Sequence, residues 1–205
     1  MNPENRIYLA SRSPRRRELL KQIGIAFQLL LLREDLARGA DVDEAPLAGE
    51  SAVEYVTRIA KEKAQIGWRQ VMMRRMPAIP VLAADTTVVL EGAILGKPEN
   101  SLQARQLLRG LSGRTHQVLT AVAVVCRDRI ETVLSTSTVE FRELGDGEIR
   151  LYVESGEPLD KAGAYGIQGR AAMFVRAISG SYTGIVGLPL FETAELLRSY
   201  NVTPV

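Results

Sequence analysis

A chain with one cysteine and one histidine has few routes to thiol or imidazole chemistry. Cys126 alone cannot form an internal disulfide, which fits a reducing compartment. It closes the apolar run Val118–Val125, where packing is a more economical use than catalysis. His116 alone excludes a His-based metal cluster. The sequence has no Gly-x-Ser-x-Gly elbow, so the common serine-hydrolase arrangement is excluded as well. Within Ser112-Gly-Arg-Thr-His-Gln117 the histidine is expected as a structural hydrogen-bonding group at the start of a strand. Neither sign of charge dominates: Lys+Arg is 26 against Asp+Glu 24. A net +2 makes no case for a nucleic-acid polymer as partner. No apolar run approaches the roughly 20 residues that cross a bilayer, and Phe27–Leu32 is far too short. Met1-Asn-Pro-Glu-Asn-Arg6 lacks a basic segment followed by a long apolar one. No secretory signal and no membrane association are therefore expected, and the protein is read as cytoplasmic.

What is present is an ordinary globular composition, 46% hydrophobic and 24% charged. At 205 residues one sizeable core is expected, so 1–205 reads as a single domain. Ile7–Ala10 reads as a buried strand. Ser13 and Pro14 then start a helix that runs to about Gln22 and stops at Gly24. Phe27–Leu32 reads as a second strand and Arg33–Gly49 as a long polar loop. Ser51 caps a helix with Val53, Val56, Ile59, Ala60 and Ala64 on one stripe. Val81–Ala84 is an apolar strand with Asp85 at its end, and Thr86–Leu90 continues extended. A helix capped at Asn100 or Ser101 should bury Leu102, Leu107, Leu108 and Leu111. Gln117–Cys126 and Ile130–Phe141 read as a hairpin about Arg127-Asp128-Arg129. Asp146–Glu154 is a helix, Ala172–Ile178 a strand, Ser179–Gly187 a turn-rich stretch, and Pro189–Tyr200 a last helix. Strands alternate with helices and hairpins intervene. The fold class is therefore α/β, a mixed sheet flanked by helices.

Glu157-Pro-Leu-Asp-Lys-Ala-Gly-Ala-Tyr-Gly-Ile-Gln-Gly169 packs glycines, Lys161 and Gln168 into a segment without core periodicity. Glycine lets backbone approach a ligand closely, lysine brings charge, and an amide both donates and accepts. A glycine-rich surface turn is the alternative. In Ser11-Arg-Ser-Pro-Arg-Arg-Arg17, Arg15, Arg16 and Arg17 fall in the first turn of a helix, where the helix dipole already places positive charge. Three cations there make sense if free N–H groups and guanidinium forks converge on phosphate. A solvated basic helix start is the plainer reading. Asp85 in Ala83-Ala-Asp-Thr-Thr87 is placed to act as a base or metal ligand, or merely to form a turn. Gly96-Lys97-Pro98 is not a Walker A loop, since Pro98 replaces the required Ser/Thr, yet Lys97 leaves a strand end where phosphate contact is feasible. Asp41-Val-Asp-Glu44 offers carboxylates of the kind that hold a hard cation beside phosphates. Lys63, at the edge of its helix's apolar stripe, either snorkels to solvent or reaches into a cleft.

Taken in order, Ala10–Arg16, Asp43-Glu44, Arg58–Ala64, Ala84-Asp-Thr86, Gly96-Lys-Pro98, Leu111–Val118, Asp160–Gly169 and Val186–Leu190 resemble the Maf family of nucleoside triphosphate pyrophosphatases. The resemblance spans nearly the whole chain. It implies an elongated mixed α/β fold with two lobes about a central cleft, related to the inosine triphosphate pyrophosphatases. It also implies hydrolysis of a nucleoside triphosphate to the monophosphate and pyrophosphate with a divalent cation (Mg or Mn), and often a homodimer. By motif, Asp85 takes the place of the catalytic carboxylate, with Glu44 and Asp85 as metal ligands. Ser11, Arg15, Arg16, Lys63, Thr86, Lys97, Lys161 and Gln168 fall at substrate positions. Arg15, Thr86 and Gln168 match the dTTP/UTP branch. The 7-methyl-GTP branch tends to carry tryptophan after Ser-Pro, glutamine after the catalytic aspartate and Ser-Glu-Gly in the late loop. Arg33–Ala40 lengthens the loop before Asp43 relative to shorter members. The competing function is a nucleotide-binding regulator of cell division without turnover.

Overall fold

The computed structural model describes residues 5–32 and 41–204. The lengthened loop at 33–40 lies outside them. Strand β1 (Arg6–Leu9), helix α1 (Pro14–Gln22) and strand β2 (Ala26–Leu29) open the fold, with β1 and β2 parallel. Helix α2 (Ala52–Met73), strands β3 (Val81–Leu90) and β4 (Ala93–Leu95) and helix α3 (Ser101–Leu111) follow. The long hairpin of β5 (Thr115–Cys126) and β6 (Arg129–Phe141) leads into α4 (Asp146–Glu154). Strand β7 (Val175–Ser179), the short α5 (Tyr182–Val186) and α6 (Leu190–Arg198) complete the chain. All strands join one seven-stranded sheet in the order β2-β1-β3-β5-β6-β7, with β4 also on β3. The sheet is mixed: β1 is parallel to β2 and β3, and the remaining pairs are antiparallel.

The alternation of side chains along β3 and β5 builds the layers. Val81, Ala83, Val89, Leu119, Ala121, Ala123 and Val125 pack against Val56, Ile59, Ala60, Ala64 and Val71 of α2. Leu82, Ala84, Val122 and Val124 face the other way, onto Leu19 and Leu20 of α1 and Leu196 and Leu197 of α6. A third cluster sets Val88 and Val118 with Ala104, Leu108 and Leu111 of α3 and Ile149, Tyr152 and Val153 of α4. Gly67 lets α2 lie close on the sheet, since a Cβ there would stand 2.9 Å from Val81 Cγ1. Among the described residues no helix is long and apolar enough to cross a membrane.

Several sequence expectations shift. The Ser51 cap is a full capping box with Glu54, and Asn100 rather than Ser101 caps α3. Leu102 is exposed on α3, where Ala104 takes the buried position, and Val53 is exposed on α2. Residues 170–174 form a 3-10 turn before β7, and the turn-rich 179–187 contains α5. The segment after α4 holds 3-10 turns at 157–160 and 162–164, with Ala164 and Tyr165 in the α3–α4 core, so it is a packed element.

The largest revision concerns Asp85. It does not end a strand; β3 runs unbroken through it to Leu90. Its setting comes from the neighbours of β3. On one side β5 pairs along Val81–Val89. On the other, β1 pairs only at Val81 and Leu82 and β4 only at Val88–Leu90. Residues 83–87 are thus left with one paired edge. Beyond the carboxyl end of β1 the sheet opens, and Asp85, Thr86 and Thr87 line the gap.

Candidate active site

The gap is one end of a cleft of about 1060 Å³. Residues from β1–α1, the loop before α2, β3, the turn after β4, the 157–169 segment and the α5–α6 turn all line it. Each expected site residue, Ser11, Arg15, Arg16, Glu44, Lys63, Asp85, Thr86, Lys97, Lys161 and Gln168, lies on its wall.

Two contact groups stand within the cleft. In the first, the Lys63 ammonium of α2 donates to Asp85 Oδ1 at 2.8 Å and reaches Glu44 Oε1 at 2.6 Å. Burial disfavours the charged lysine, but the two carboxylates outweigh it and raise its pKa. Burial likewise works against the Glu44 carboxylate, yet Lys63, Lys97 and Arg16 hold it below its ordinary value. Glu44 is placed by the same helix that carries Lys63. Arg58 donates to the carbonyls of Asp43 and Ala45 and clasps Glu50 at 2.6 and 2.9 Å, and the Tyr55 hydroxyl donates to the Glu44 carbonyl. The acidic loop, although exposed, is therefore tied to α2.

In the second group, Ser13 caps α1 by accepting from Arg16 N, which sets the arginine in the first turn. The Arg16 guanidinium then donates to Gly187 O at 2.8 Å, Thr86 Oγ1 at 3.1 Å and Ser11 Oγ at 3.3 Å. Burial lowers its pKa despite the opposing pull of Asp85. Gly187 turns the chain at φ +128°, a conformation side chains rarely adopt, and so presents its carbonyl to Arg16. The basic cluster is thus divided by structure. Arg16 is locked, and Arg15 lines the cleft beside it. Arg12 donates to Leu32 O at 2.9 Å.

Lys97, Lys161 and Gln168 line the cleft outside these contact groups, although the Lys97 charge still acts on Glu44. Lys97 is exposed on the wall contributed by the turn after β4. Lys161 is turned back on its own segment, donating to Glu157 O at 2.6 Å and Asp160 Oδ1 at 2.5 Å. Gln168 is exposed at the lip. His116 fills its expected structural role, with Nε2 2.8 Å from the Tyr165 hydroxyl, and burial pushes its pKa down to about 4. Cys126 is half-buried at the end of β5, outside the cleft.

Three features escaped the sequence. Tyr55 supports the Glu44 loop, Gly187 receives Arg16, and Thr120 lies behind Thr86. A polar residue inside the apolar run of β5 was the available signal for Thr120.

This arrangement offers two carboxylates around one cation position, in a cleft also lined by Arg15, Arg16 and Lys97. Residues 6–200 match the family described as Maf-like protein. The chain belongs to the Maf family. The dTTP/UTP pyrophosphatase of Nitrosospira multiformis is 61% identical over 195 residues, covering 95% of this chain and 94% of that protein. The dTTP/UTP pyrophosphatase of Nitrosomonas europaea is 56% identical over 199 residues, 97% of this chain and 96% of its own. That of Aromatoleum aromaticum is 59% identical over 197 residues, 96% of each. Among solved structures, the Staphylococcus aureus Ham1 protein superposes with a TM-score of 0.45 at 18% identity, covering 81% of this chain and 89% of that one. That likeness is too loose to bear on the site. In this Maf-family chain the cleft is made by a strand that outruns its neighbour, a capped helix start and a loop tied to α2.

Proposed function

We propose that this chain hydrolyses dTTP and UTP to the monophosphate and pyrophosphate. The observation that carries the reading is Lys63 joined to both Glu44 and Asp85 where the sheet opens, in the cleft that Arg16 also lines. High identity to proteins named dTTP/UTP pyrophosphatase supplies the substrate class.

The chemistry needs a triphosphate held, a water deprotonated and a pyrophosphate released. Arg16, braced on three sides, keeps unused N–H groups for phosphate oxygens, while Arg15 and Lys97 add charge from either wall. Asp85 takes a proton from the attacking water as its oxygen bonds to the α-phosphorus and the bond to the departing pyrophosphate breaks. A plain binding protein has little need for a carboxylate beside a phosphate, beyond holding a cation.

The donor set fits a hard divalent cation such as Mg or Mn. Glu44 and Asp85 already share one cation, Lys63, and their oxygens suit such a metal. Among the described residues no cluster of three or more potential ligands exists, so phosphate oxygens and water would complete the shell. Glu44 and Asp85 would hold the ion, which when bound neutralises phosphate charge and acidifies water. Lys63 would then be freed to turn toward the triphosphate.

Base choice is assigned to Gln168, whose amide can match the alternating carbonyl and N–H edge of uracil or thymine. The test is kcat/KM for UTP, dTTP, CTP, GTP and 7-methyl-GTP. The reading expects UTP and dTTP to lead. A lead for 7-methyl-GTP would move the chain to the sister branch, and no turnover of any would leave a nucleotide-binding regulator.

A further inference from the structure

Thr120 sits in the middle of β5, buried, and does not line the cleft. Its hydroxyl lies 2.8 Å from Gly184 O and 3.0 Å from Thr86 Oγ1. A hydroxyl has one proton to give. The Gly184 carbonyl can only accept, so the Thr120 proton goes there. The Thr86 hydroxyl must then supply the proton that joins the two threonines. That commitment fixes the free side of Thr86: its lone pairs face the Arg16 guanidinium, which donates at 3.1 Å. Thr86 is thereby an acceptor toward the cleft.

The second bond of Thr120 leads to the same arginine by another route. Gly184 belongs to α5, and Gly187, which closes α5, provides the carbonyl that accepts Arg16 Nε. Thr120 therefore holds two of the three supports of the guanidinium: Thr86 on β3 and, through Gly184, α5. Ser11 Oγ is the third support and owes nothing to Thr120.

We propose that Thr120 is a positioning residue for the reaction. Through Thr86 and α5 it aims the Arg16 fork at the triphosphate. This rests on the reading that Arg16 binds phosphate. Thr120→Val keeps the shape and removes the hydroxyl. It takes the Thr120 donor from the Gly184 carbonyl, which keeps the Gly187 N–H at 3.0 Å, and it frees the Thr86 proton to turn toward Arg16, where a donor meets a donor. An arginine fork loses its value quickly when its planar geometry is disturbed.

The experiment is a double-mutant cycle on kcat/KM for UTP with wild type, Thr120→Val, Arg16→Ala and the pair, with melting temperatures throughout. Thr120→Val should lower kcat/KM by about tenfold or more, the scale of a weakened charge-assisted hydrogen bond. It should cost less than about twofold once Arg16 is alanine, because there is no fork left to aim. Thr120→Ser, which keeps the hydroxyl, should restore most of the rate. If the valine variant fails to fold, Thr120→Ala carries the same comparison. An equal loss in both backgrounds would make Thr120 merely structural and overturn the proposal. So would a folded Thr120→Val within twofold of wild type while Arg16→Ala is strongly impaired. If Arg16→Ala itself turns over UTP like wild type, the phosphate role of Arg16 falls first.

Discussion

Lys63 and Asp85, 22 residues apart in sequence, meet at 2.8 Å in the opening of the sheet. The contact joins the helix that covers one face of the sheet to the strand at its centre, and Glu44 shares the same ammonium. Attraction of that kind lets two carboxylates approach each other without being neutralised.

Lys63→Met removes the shared cation. Turnover of UTP should fall by about 10²-fold, as for loss of an electrostatic group at the reacting centre. The pH profile should change too. Glu44 is held below its ordinary value with Lys63 as the leading favourable partner, so its carboxyl should rise without it. The acid limb of kcat/KM should move to higher pH. An unmoved acid limb would show that Glu44 does not report on the reaction.

Arg16→Ala should cost roughly 10- to 150-fold in kcat/KM, the equivalent of about 1.5–3 kcal/mol for a charge-assisted hydrogen bond. Arg16→Lys should recover little, because a point charge cannot serve Gly187, Thr86, Ser11 and phosphate together. Arg15→Ala, lacking such bracing, should act mainly on KM. Silent kinetics in both alanine variants would return the cluster to a solvated helix start.

Gln168→Ala should flatten the base preference, losing more with UTP and dTTP than with CTP or GTP. A site that pairs with a polar edge penalises bases leaving its groups unpaired. An equal loss across the panel, measured as kcat/KM, would give Gln168 a role in bracing its loop.

Most of the helices could be read from caps and stripes. Ser13, Ser51 and Asn100 each accept the expected backbone N–H, and Asp146–Glu154 forms over its predicted bounds. The site residues were legible through motifs, but their grouping was not. Nothing local to Asp85 says that β1 stops pairing at Leu82 and β4 begins at Val88; that depends on three strands at once. Lys161 looked like a phosphate ligand by charge, whereas its own loop holds the ammonium. Leu102 is expected inward by its hydrophobicity, yet it is exposed and Ala104 takes the buried position.

Stability should carry a pH dependence of its own from His116. Burial pushes its folded pKa from 6.5 down to about 4. The unfolded chain therefore takes up the proton first as pH falls. The stability this group contributes is complete above about 6.5 and is lost progressively down to about 4, by roughly 3 kcal/mol in all. Urea unfolding at pH 7.5 and pH 4.5 should show this difference in wild type and a smaller one in His116→Gln. Equal pH dependence in the two proteins would contradict the assignment.

The most direct measurement is product analysis with wild type and Asp85→Asn, using UTP and dTTP with Mg or Mn present. Wild type should yield UMP or dTMP and pyrophosphate in equal amounts. A folded Asp85→Asn should be slower by about 10²-fold or more, as for removal of a general base or metal-positioning group. Release of inorganic phosphate in place of pyrophosphate, or wild-type turnover in folded Asp85→Asn, would contradict the proposed reaction.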